Sequence, residues 1–179
     1  MLSYNVAALL RAAPGTMRTY PVALDNLVIA EDFQLAAPIA GEVRLASTGR
    51  SILARGELTT AMAGTCSRCL VQVVAPIEVH FEEEALPSID IESGQPVDRS
   101  AEPDALRLDE HHELDLAEPV REAISLAEPI TLLCRPECRG LCLICGVDLN
   151  ADPAHHHAEE EMDPRLARLA EWREHSEPH

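Results

Sequence analysis

The sequence contains no lysine, and all fourteen of its basic residues are arginine, against 31 acidic residues. It also has no apolar run long enough to cross a membrane, since the run from Val6 to Leu10 ends at Arg11 and follows no basic stretch. The N-terminus therefore resembles neither a signal peptide nor a membrane span, and we expect a cytoplasmic protein with no membrane partner. A glycine-rich phosphate loop is also missing, which excludes a P-loop nucleotide site.

The net charge of −17 is concentrated in the middle of the chain. Residues 82–128 hold fifteen acidic residues and three arginines, which account for −12 of the total. Because nucleic-acid affinity depends on cations that displace counterions, this segment repels a phosphate backbone. RNA binding would therefore use another face or a basic protein partner. The alternative is that the segment is an acidic, solvated linker.

Alternating apolar and polar residues predict three antiparallel strands between residues 36 and 84. The first is centred on Val43, the second covers residues 52–58 and the third covers residues 71–81. The turn between the second and third strands holds Cys66-Ser67-Arg68-Cys69, so a hairpin would present both sulfurs together.

Proline and acidic residues shape the prediction for the middle of the chain. Residues 87–104 contain three prolines and predict a flexible loop without a core. A helix is predicted near residues 115–128, because Asp115 and Glu118 have capping-box spacing and apolar residues recur every three or four positions. Another short helix is predicted to open at Asp163 and Pro164.

Together these patterns predict an α+β protein with an antiparallel β-sheet, a packed helix and a C-terminal cysteine-rich zinc-binding segment. The predicted β-rich core domain covers residues 1–128 and includes an acidic loop at 82–114 and the helix near 115–128. The cysteine-rich, metal-binding segment covers residues 129–179.

The six cysteines fall into two groups, Cys66 and Cys69 upstream and four more within twelve residues of one another, Cys134, Cys138, Cys142 and Cys145. In a reducing compartment such a cluster is better explained by metal ligation than by disulfides. Zinc takes four soft ligands in a tetrahedron, and a CxxC turn directs two sulfurs to one point. We therefore predict all six cysteines as zinc ligands, with Gly146 allowing the positive φ that such a turn needs.

The spacing leaves three ligand arrangements open. One ion could be held by the four C-terminal cysteines alone, or by the two CxxC pairs that Cys66 and Cys142 begin. Two ions become possible if the histidines at 155–157 supply imidazole ligands, and the alternative is that these histidines form an exposed polar tract.

The CxxxCxxC spacing of Cys138, Cys142 and Cys145 also matches the cluster site of radical-forming enzymes that use S-adenosylmethionine. Those enzymes need a barrel of βα units after the motif, and only 34 residues follow Cys145. We therefore reject this interpretation.

Three stretches of the sequence together point to a known family: Cys66-Ser67-Arg68-Cys69-Leu70, CRPECRGLCLICGVDLN from Cys134 to Asn150, and Asp163-Pro164-Arg165-Leu166. The resemblance that they carry is to the YceD family, the large ribosomal RNA subunit accumulation proteins. It implies a cytoplasmic, metal-binding protein without enzymatic activity that is needed for normal accumulation of large-subunit ribosomal RNA. Family genes often neighbour that of a small basic large-subunit ribosomal protein.

One departure from the family concerns the second metal site. Many members carry a CxC soon after the GLCxxCG segment, where this chain has residues 155–157, all histidine. If His155 and His157 replace those thiols they are ligands, and if they do not, the second site is missing.

Two classes of function follow. In the first, the protein is a non-enzymatic ribosome-biogenesis factor, and the acidic middle holds a small basic ribosomal protein. A sheet face would contact ribosomal RNA or a pre-large-subunit particle through four arginines, Arg44, Arg50, Arg55 and Arg68. The competing class is a metal-dependent or thiol-redox enzyme, which needs an open coordination position or a free thiolate. A zinc-ribbon regulator is disfavoured by the net charge.

Overall fold

The computed structural model describes residues 2–31, 33–98, 100 and 102–157. The elements follow in the order β1 (Ser3–Asn5), α1 (Ala7–Leu10), β2 (Met17–Leu24), β3 (Gln34–Ser47), β4 (Ile52–Thr65), β5 (Gln72–Ala85), β6 (Glu113–Asp115) and α2 (Ala117–Leu126). Within this described part, no helix has the length and apolar character needed to span a membrane. The predicted helix at Asp163 lies outside the described residues.

The main sheet is an antiparallel meander with the strand order β2-β3-β4-β5. Three of its strands, β3 to β5, confirm the predicted strands, and β2 was missed. The missed strand is an edge strand that contains Pro21 and buries fully only Val22, so its sequence lacks a clear alternation. Pro21 has no backbone N–H, and an edge position tolerates that loss.

The β4–β5 hairpin is long and carries the first CxxC at its tip. Its register pairs Ile52 with Ala85 at one end and Thr65 with Gln72 at the other. At about 3.3 Å per residue, fourteen paired residues make a ribbon about 45 Å long. The turn that joins the strands holds Cys66 and the other three residues of the motif, as predicted.

The core lies on one face of this sheet. Strand β4 buries alternate residues such as Ile52, Ala54 and Leu58, while Arg55 and Glu57 between them are exposed. The other layer consists of α1, α2 and a two-stranded antiparallel sheet formed by β1 and β6. The fully buried residues of that layer include Val6, Leu9, Leu114, Leu116, Val120 and Ile124. The sheet and its packed helix agree with the α+β prediction.

The helix α2 lies where the sequence predicted it, but its cap differs. Leu116 is the N-cap and makes no side-chain capping bond. The Asp115 carboxylate instead accepts the Ala117 N–H at 2.9 Å. Glu118 pairs with Arg121 one turn further along the helix rather than reaching back, so the predicted capping box is wrong.

The acidic middle is more ordered than a loop. Its first residues, Glu82 to Glu84, belong to β5, and Glu113 begins β6. In the proline-rich part, Ser88 is buried and its hydroxyl donates to the Leu108 carbonyl at 2.6 Å. The expectation of no core there is therefore wrong at Ser88, whose buried hydroxyl has a hydrogen-bond partner and joins two parts of the acidic middle. The division at residue 128 stays a prediction.

Candidate metal centres

Eight cysteine and histidine side chains form two groups of four, and within each group the ligand atoms all lie within 4.8 Å of one another. The thiolate centre consists of Cys66, Cys69, Cys134 and Cys138. The mixed centre consists of Cys142, Cys145, His155 and His157. Every cysteine predicted as a zinc ligand therefore lies in one of the two groups, and four-ligand sets of this composition are typical of zinc.

The thiolate centre joins two distant parts of the chain. Cys66 and Cys69 lie in the β4–β5 turn, and the other two cysteines follow α2. Backbone hydrogen bonds hold the two parts together, because Ser67 N–H donates to Leu132 O at 2.8 Å and Leu141 N–H donates to Arg68 O at 3.1 Å. The C-terminal segment is thus docked on the hairpin tip.

Distances within the thiolate centre fit a tetrahedral ion better than a disulfide. The sulfurs of Cys66 and Cys138 are 3.9 Å apart, and those of Cys69 and Cys134 are 3.6 Å apart. Four sulfurs at about 2.3 Å from zinc would be about 3.8 Å from one another, whereas a disulfide needs about 2.05 Å. Cys66 and Cys138 are at most 1% exposed. Cys69 is also buried and Cys134 is exposed, so three of the four ligands are shielded from solvent.

The thiols of this centre differ in acidity. The backbone N–H of Cys69, above all, lowers the pKa of Cys66 to about 6. Desolvation of its sulfur, followed by the neighbouring thiols, raises the pKa of Cys134 to about 12, although the residue as a whole is exposed. Four sulfurs this close cannot all ionise by themselves, since like charges oppose one another. A divalent cation would remove that opposition, so the donor set fits zinc.

The two CxxC turns have the same backbone hydrogen bonds, and we call residues 66–70 the first knuckle and residues 142–146 the second knuckle. In the first, Leu70 N–H donates to Cys66 O at 3.0 Å, and in the second, Gly146 N–H donates to Cys142 O at 2.8 Å. Leu70 has φ +61° and Gly146 has φ +75°. The predicted positive φ of Gly146 is confirmed, and Leu70 adopts it without being glycine.

The mixed centre is local in sequence and more open. The sulfur of Cys145 lies 3.2 Å from Nε2 of His155 and 3.3 Å from Nε2 of His157. The two Nε2 atoms are 3.0 Å apart, and Cys145 is exposed. Backbone N–H groups, first that of Cys145, lower the pKa of Cys142 to about 7. Thiolates and neutral imidazoles in this arrangement fit zinc as a Cys₂His₂ set.

His156 does not belong to the mixed centre. Its Nδ1 lies 3.0 Å from the Ala154 carbonyl, and its side chain is exposed. The interpretation of all three histidines as an exposed polar tract is therefore wrong for its two neighbours in the chain, and it agrees with the structure only at this position.

Asn150 contacts one ligand of the thiolate centre, and no sequence pattern indicates this role. Its side-chain amide N–H lies 3.6 Å from the sulfur of Cys138. Its carbonyl accepts from the Arg139 backbone N–H at 2.9 Å and from Arg135 at 2.8 Å. Leu149, beside it, donates its N–H to Gly140 at 3.0 Å. A side chain that contacts a ligand sulfur in this way orients the ligand and tunes its basicity.

Of the three arrangements left open by the spacing, the grouping matches the one with two sets of ligands. Neither single-ion arrangement is formed, because Cys134 and Cys138 lie with the first knuckle and not with the second. The CxxxCxxC triplet is likewise divided, since Cys138 belongs to one centre and Cys142 to the other. The rejected radical-enzyme interpretation therefore has no cluster site in the described residues.

The four arginines predicted to form one sheet face do not lie together on such a face. Arg44 pairs with Glu42 and, at 3.6 Å, with Glu57. Arg55 pairs with Glu82 at 2.5 Å. These exposed strand residues form a mixed-charge surface and not a cationic one. The remaining two arginines lie elsewhere, Arg50 in the β3–β4 turn and Arg68 at the first knuckle.

Comparison with known proteins gives a family match over most of the chain. A family model described as "Large ribosomal RNA subunit accumulation protein YceD" matches residues 54–172. An uncharacterised protein of Mycobacterium tuberculosis is 33% identical over 130 residues, which are 73% of this chain and 59% of that protein. One from Mycobacterium leprae is 29% identical over 167 residues, or 93% of this chain and 70% of the relative.

A plant relative carries a functional name. The "Large ribosomal RNA subunit accumulation protein YCED homolog 1, chloroplastic" of Zea mays is 42% identical over 38 residues, which are 21% of this chain and 13% of that protein. The match to the first mycobacterial relatives spans only about 59% of their length. No solved structure matches it significantly.

Proposed function

The chain belongs to the YceD family, and we propose that it is a non-enzymatic ribosome-biogenesis factor that supports accumulation of large-subunit ribosomal RNA. The family match carries this proposal, because residues 54–172 include all but the first two residues of the β4–β5 hairpin and all eight residues of the two centres. The family description names RNA accumulation and no catalytic step. The proposed partners are large-subunit ribosomal RNA or a pre-large-subunit particle, met in the cytoplasm.

Zinc in both centres is the second part of the proposal. Four protein ligands complete the tetrahedron that zinc takes in structural sites, which leaves no open position for a substrate. A zinc ion in the thiolate centre would tie the hairpin tip to the segment after α2, because Cys69 and Cys134 come from those two parts. The metal would then support a binding surface and not a reaction.

The acidic middle of the chain suits a small basic ribosomal protein. A concave surface between β5 and α2 is lined by four carboxylates, Glu78, Glu82, Glu83 and Glu122. Opposite charge on a partner would speed its encounter with this surface and select it against acidic proteins. The same surface would repel RNA, so the two partners would use different parts of the molecule.

Depletion of the protein tests the proposed function. Cells without it should accumulate less large-subunit than small-subunit ribosomal RNA, and the wild-type gene should restore the ratio. The protein should also sediment with pre-large-subunit particles at low salt and leave them as salt rises. An unchanged RNA ratio in depleted cells would show that the proposed function is wrong.

Thiol chemistry is the competing function, and the exposure of Cys145 is the observation that favours it. Thiol titration with and without a chelator separates the two. Structural zinc predicts that all six thiols are protected and become reactive together with metal release. A single thiol that reacts in the zinc-loaded protein would favour an enzyme.

A further inference from the structure

A groove of about 790 Å³ lies between the two knuckles, and we call it the knuckle groove. Its walls include Arg68 of the first knuckle, Arg139, and the second-knuckle residues Leu143 and Ile144. The histidines at 155–157 complete one side. Its volume lies in the range of about 300–1,000 Å³ that is common for ligand pockets.

The knuckle groove differs in charge from the other depressions of the described surface. Among the residues that the structure describes, no aspartate or glutamate lines it. Four other depressions each have between two and four carboxylates in their walls. In a chain of net charge −17, an anion therefore meets less repulsion from the described walls of this groove than from those of the four other depressions.

Distance along the hairpin separates the groove from the acidic surface. Glu78 lies opposite Thr59, six residues before the end of β4 at Thr65. At about 3.3 Å per residue, six residues span about 20 Å. That is more than twice the screening length of about 8 Å at physiological salt, so the β5 carboxylates act only weakly at the hairpin tip.

Both arginines of the groove are held by neutral partners. The Arg68 guanidinium donates to the Cys138 carbonyl at 2.7 Å, and that of Arg139 donates to the Pro153 carbonyl at 2.8 Å. Neither makes an ion pair with a described carboxylate, in contrast to Arg44 and Arg55. Each keeps its full charge in a fixed position, and the guanidinium group has further N–H donors that suit phosphate.

The two histidines of the mixed centre also affect the charge of the groove. A divalent ion with two thiolates and two neutral imidazoles has a formal charge of zero, whereas four thiolates would give −2. His155 and His157 line the groove, so imidazoles at these positions keep two negative charges away from it. Anion binding is therefore compatible with a loaded mixed centre.

Apolar side chains complete the surface. Leu143 is 103% exposed and Ile144 is 60% exposed, at the tip of the second knuckle. His156 is exposed beside them and makes no contact with the mixed centre. Unpaired bases pack on apolar, histidine and arginine side chains, whereas bases within a duplex are not available for such contacts.

We propose that the knuckle groove binds a single-stranded segment of large-subunit ribosomal RNA, with phosphates on Arg68 and Arg139 and bases against Leu143 and Ile144. This inference rests on the proposed function and names the surface that performs it. The acidic surface between β5 and α2 is left for a basic protein.

The test is binding of a fluorescent single-stranded RNA dodecamer to the zinc-loaded full chain, measured by anisotropy at several salt concentrations. The Arg68→Gln, Arg139→Gln double variant should bind about tenfold more weakly. For this variant, the slope of the logarithm of the binding constant against the logarithm of the salt concentration should be shallower by about 1.4, because each of the two lost single-strand phosphate contacts contributes about 0.7. The matched control, Arg44→Gln with Arg55→Gln, removes the same charge from the mixed-charge face and should bind as the wild type does.

A second variant keeps both arginines and changes the charge of the metal centre. His155→Cys with His157→Cys should retain two zinc ions per chain and still bind RNA several-fold more weakly, because it adds two negative charges to the groove. Zinc content and circular dichroism of each variant would establish that it is folded.

Two results would overturn the proposal that the knuckle groove binds single-stranded RNA. One is wild-type RNA affinity in both the arginine variant and the cysteine variant, and the other is equal affinity of the wild type for the dodecamer and for a matched duplex. Either would leave the proposed function intact if depleted cells still lose large-subunit RNA. An unchanged RNA ratio in those cells would instead overturn the proposed function, whatever the groove binds.

Discussion

The thiolate centre and the mixed centre have similar knuckles but depend on the fold in different ways. The thiolate centre joins Cys69 to Cys134, 65 residues apart in sequence, and it is largely buried. The mixed centre gathers Cys145 and His155, ten residues apart, at an exposed surface. A long-range site can form only when the hairpin and the C-terminal segment are docked, whereas a local site can form with little loop closure.

The same CxxC turn thus contributes to a long-range site in one centre and to a local site in the other. A metal ion bound in the thiolate centre would couple binding to folding, since these ligands come together only in the native state. An ion bound in the mixed centre would shape a surface loop. We therefore expect the first centre to control stability and the second to control the shape and charge of the knuckle groove.

The largest expected effect comes from removing a buried ligand. Cys66→Ser should lower the melting temperature by more than about 10 °C, because it removes the metal that ties the hairpin tip to the C-terminal segment. Cys145→Ser, the matched change in the mixed centre, should lower it by less than about half as much. Calorimetry of the two zinc-loaded variants checks this, and equal losses would erase the distinction between the centres.

Chelation should separate the centres in time. With a chromogenic chelator in excess, one zinc ion per chain should leave at least about tenfold faster than the other, because the exposed mixed centre opens locally while the thiolate centre requires undocking of the segment. Cys145→Ser should abolish the fast phase and keep the slow one. A single phase that releases both ions would mean that the two centres are not independent.

Asn150 provides a smaller and more selective test. Asn150→Ala removes the amide near the sulfur of Cys138 and should weaken zinc binding at the thiolate centre by about 10–100-fold, as expected for a group that orients a ligand. His156→Ala, which changes a side chain outside both centres, should leave both affinities unchanged. Cobalt substitution gives the readout, because the charge-transfer band of a four-thiolate site differs from that of a mixed site.

The smallest expected effect concerns the knuckle position with positive φ. Gly146→Leu should cost about 1–2 kcal/mol of unfolding free energy, because a side chain there strains the backbone although no atom lies within 4 Å of the added Cβ. Leu70→Gly should change it by less than about 0.5 kcal/mol, since relief of the same strain is offset by a more flexible unfolded chain. Chemical denaturation of zinc-loaded protein measures both, and a neutral Gly146→Leu would contradict the backbone argument.

The sequence was sufficient for the elements with strong periodicity. Strand β5 could be predicted because Ile77 and Val79 face the core while Glu78 and His80 face solvent. Strand β2 could not be predicted, because an edge strand buries little and Pro21 argues against a strand in isolation. The hydrogen bond from the buried Ser88 hydroxyl to the Leu108 carbonyl was not predicted, because no sequence pattern marks a single buried serine in a proline-rich, acidic stretch.

The sequence predicted which residues are candidate metal ligands, but it did not predict which ligands share a centre. Cysteine spacing indicates ligands, but Cys138 is closer in sequence to Cys142 than to Cys66, so spacing alone favours the wrong neighbour. Only docking of the C-terminal segment on the hairpin separates the two groups. The raised pKa of Cys134 depends on that docking, because two of the neighbouring thiols that raise it, Cys66 and Cys69, belong to the hairpin turn. The contact of Asn150 with the sulfur of Cys138 likewise lies within the docked segment.

X-ray absorption at the zinc edge, with elemental analysis of the same sample, tests the separation into two centres most directly. Six sulfurs and two imidazoles shared by two ions predict two zinc ions per chain and a mean ligand shell of three sulfurs and one nitrogen. One zinc ion per chain with four sulfurs and no nitrogen would contradict the two centres.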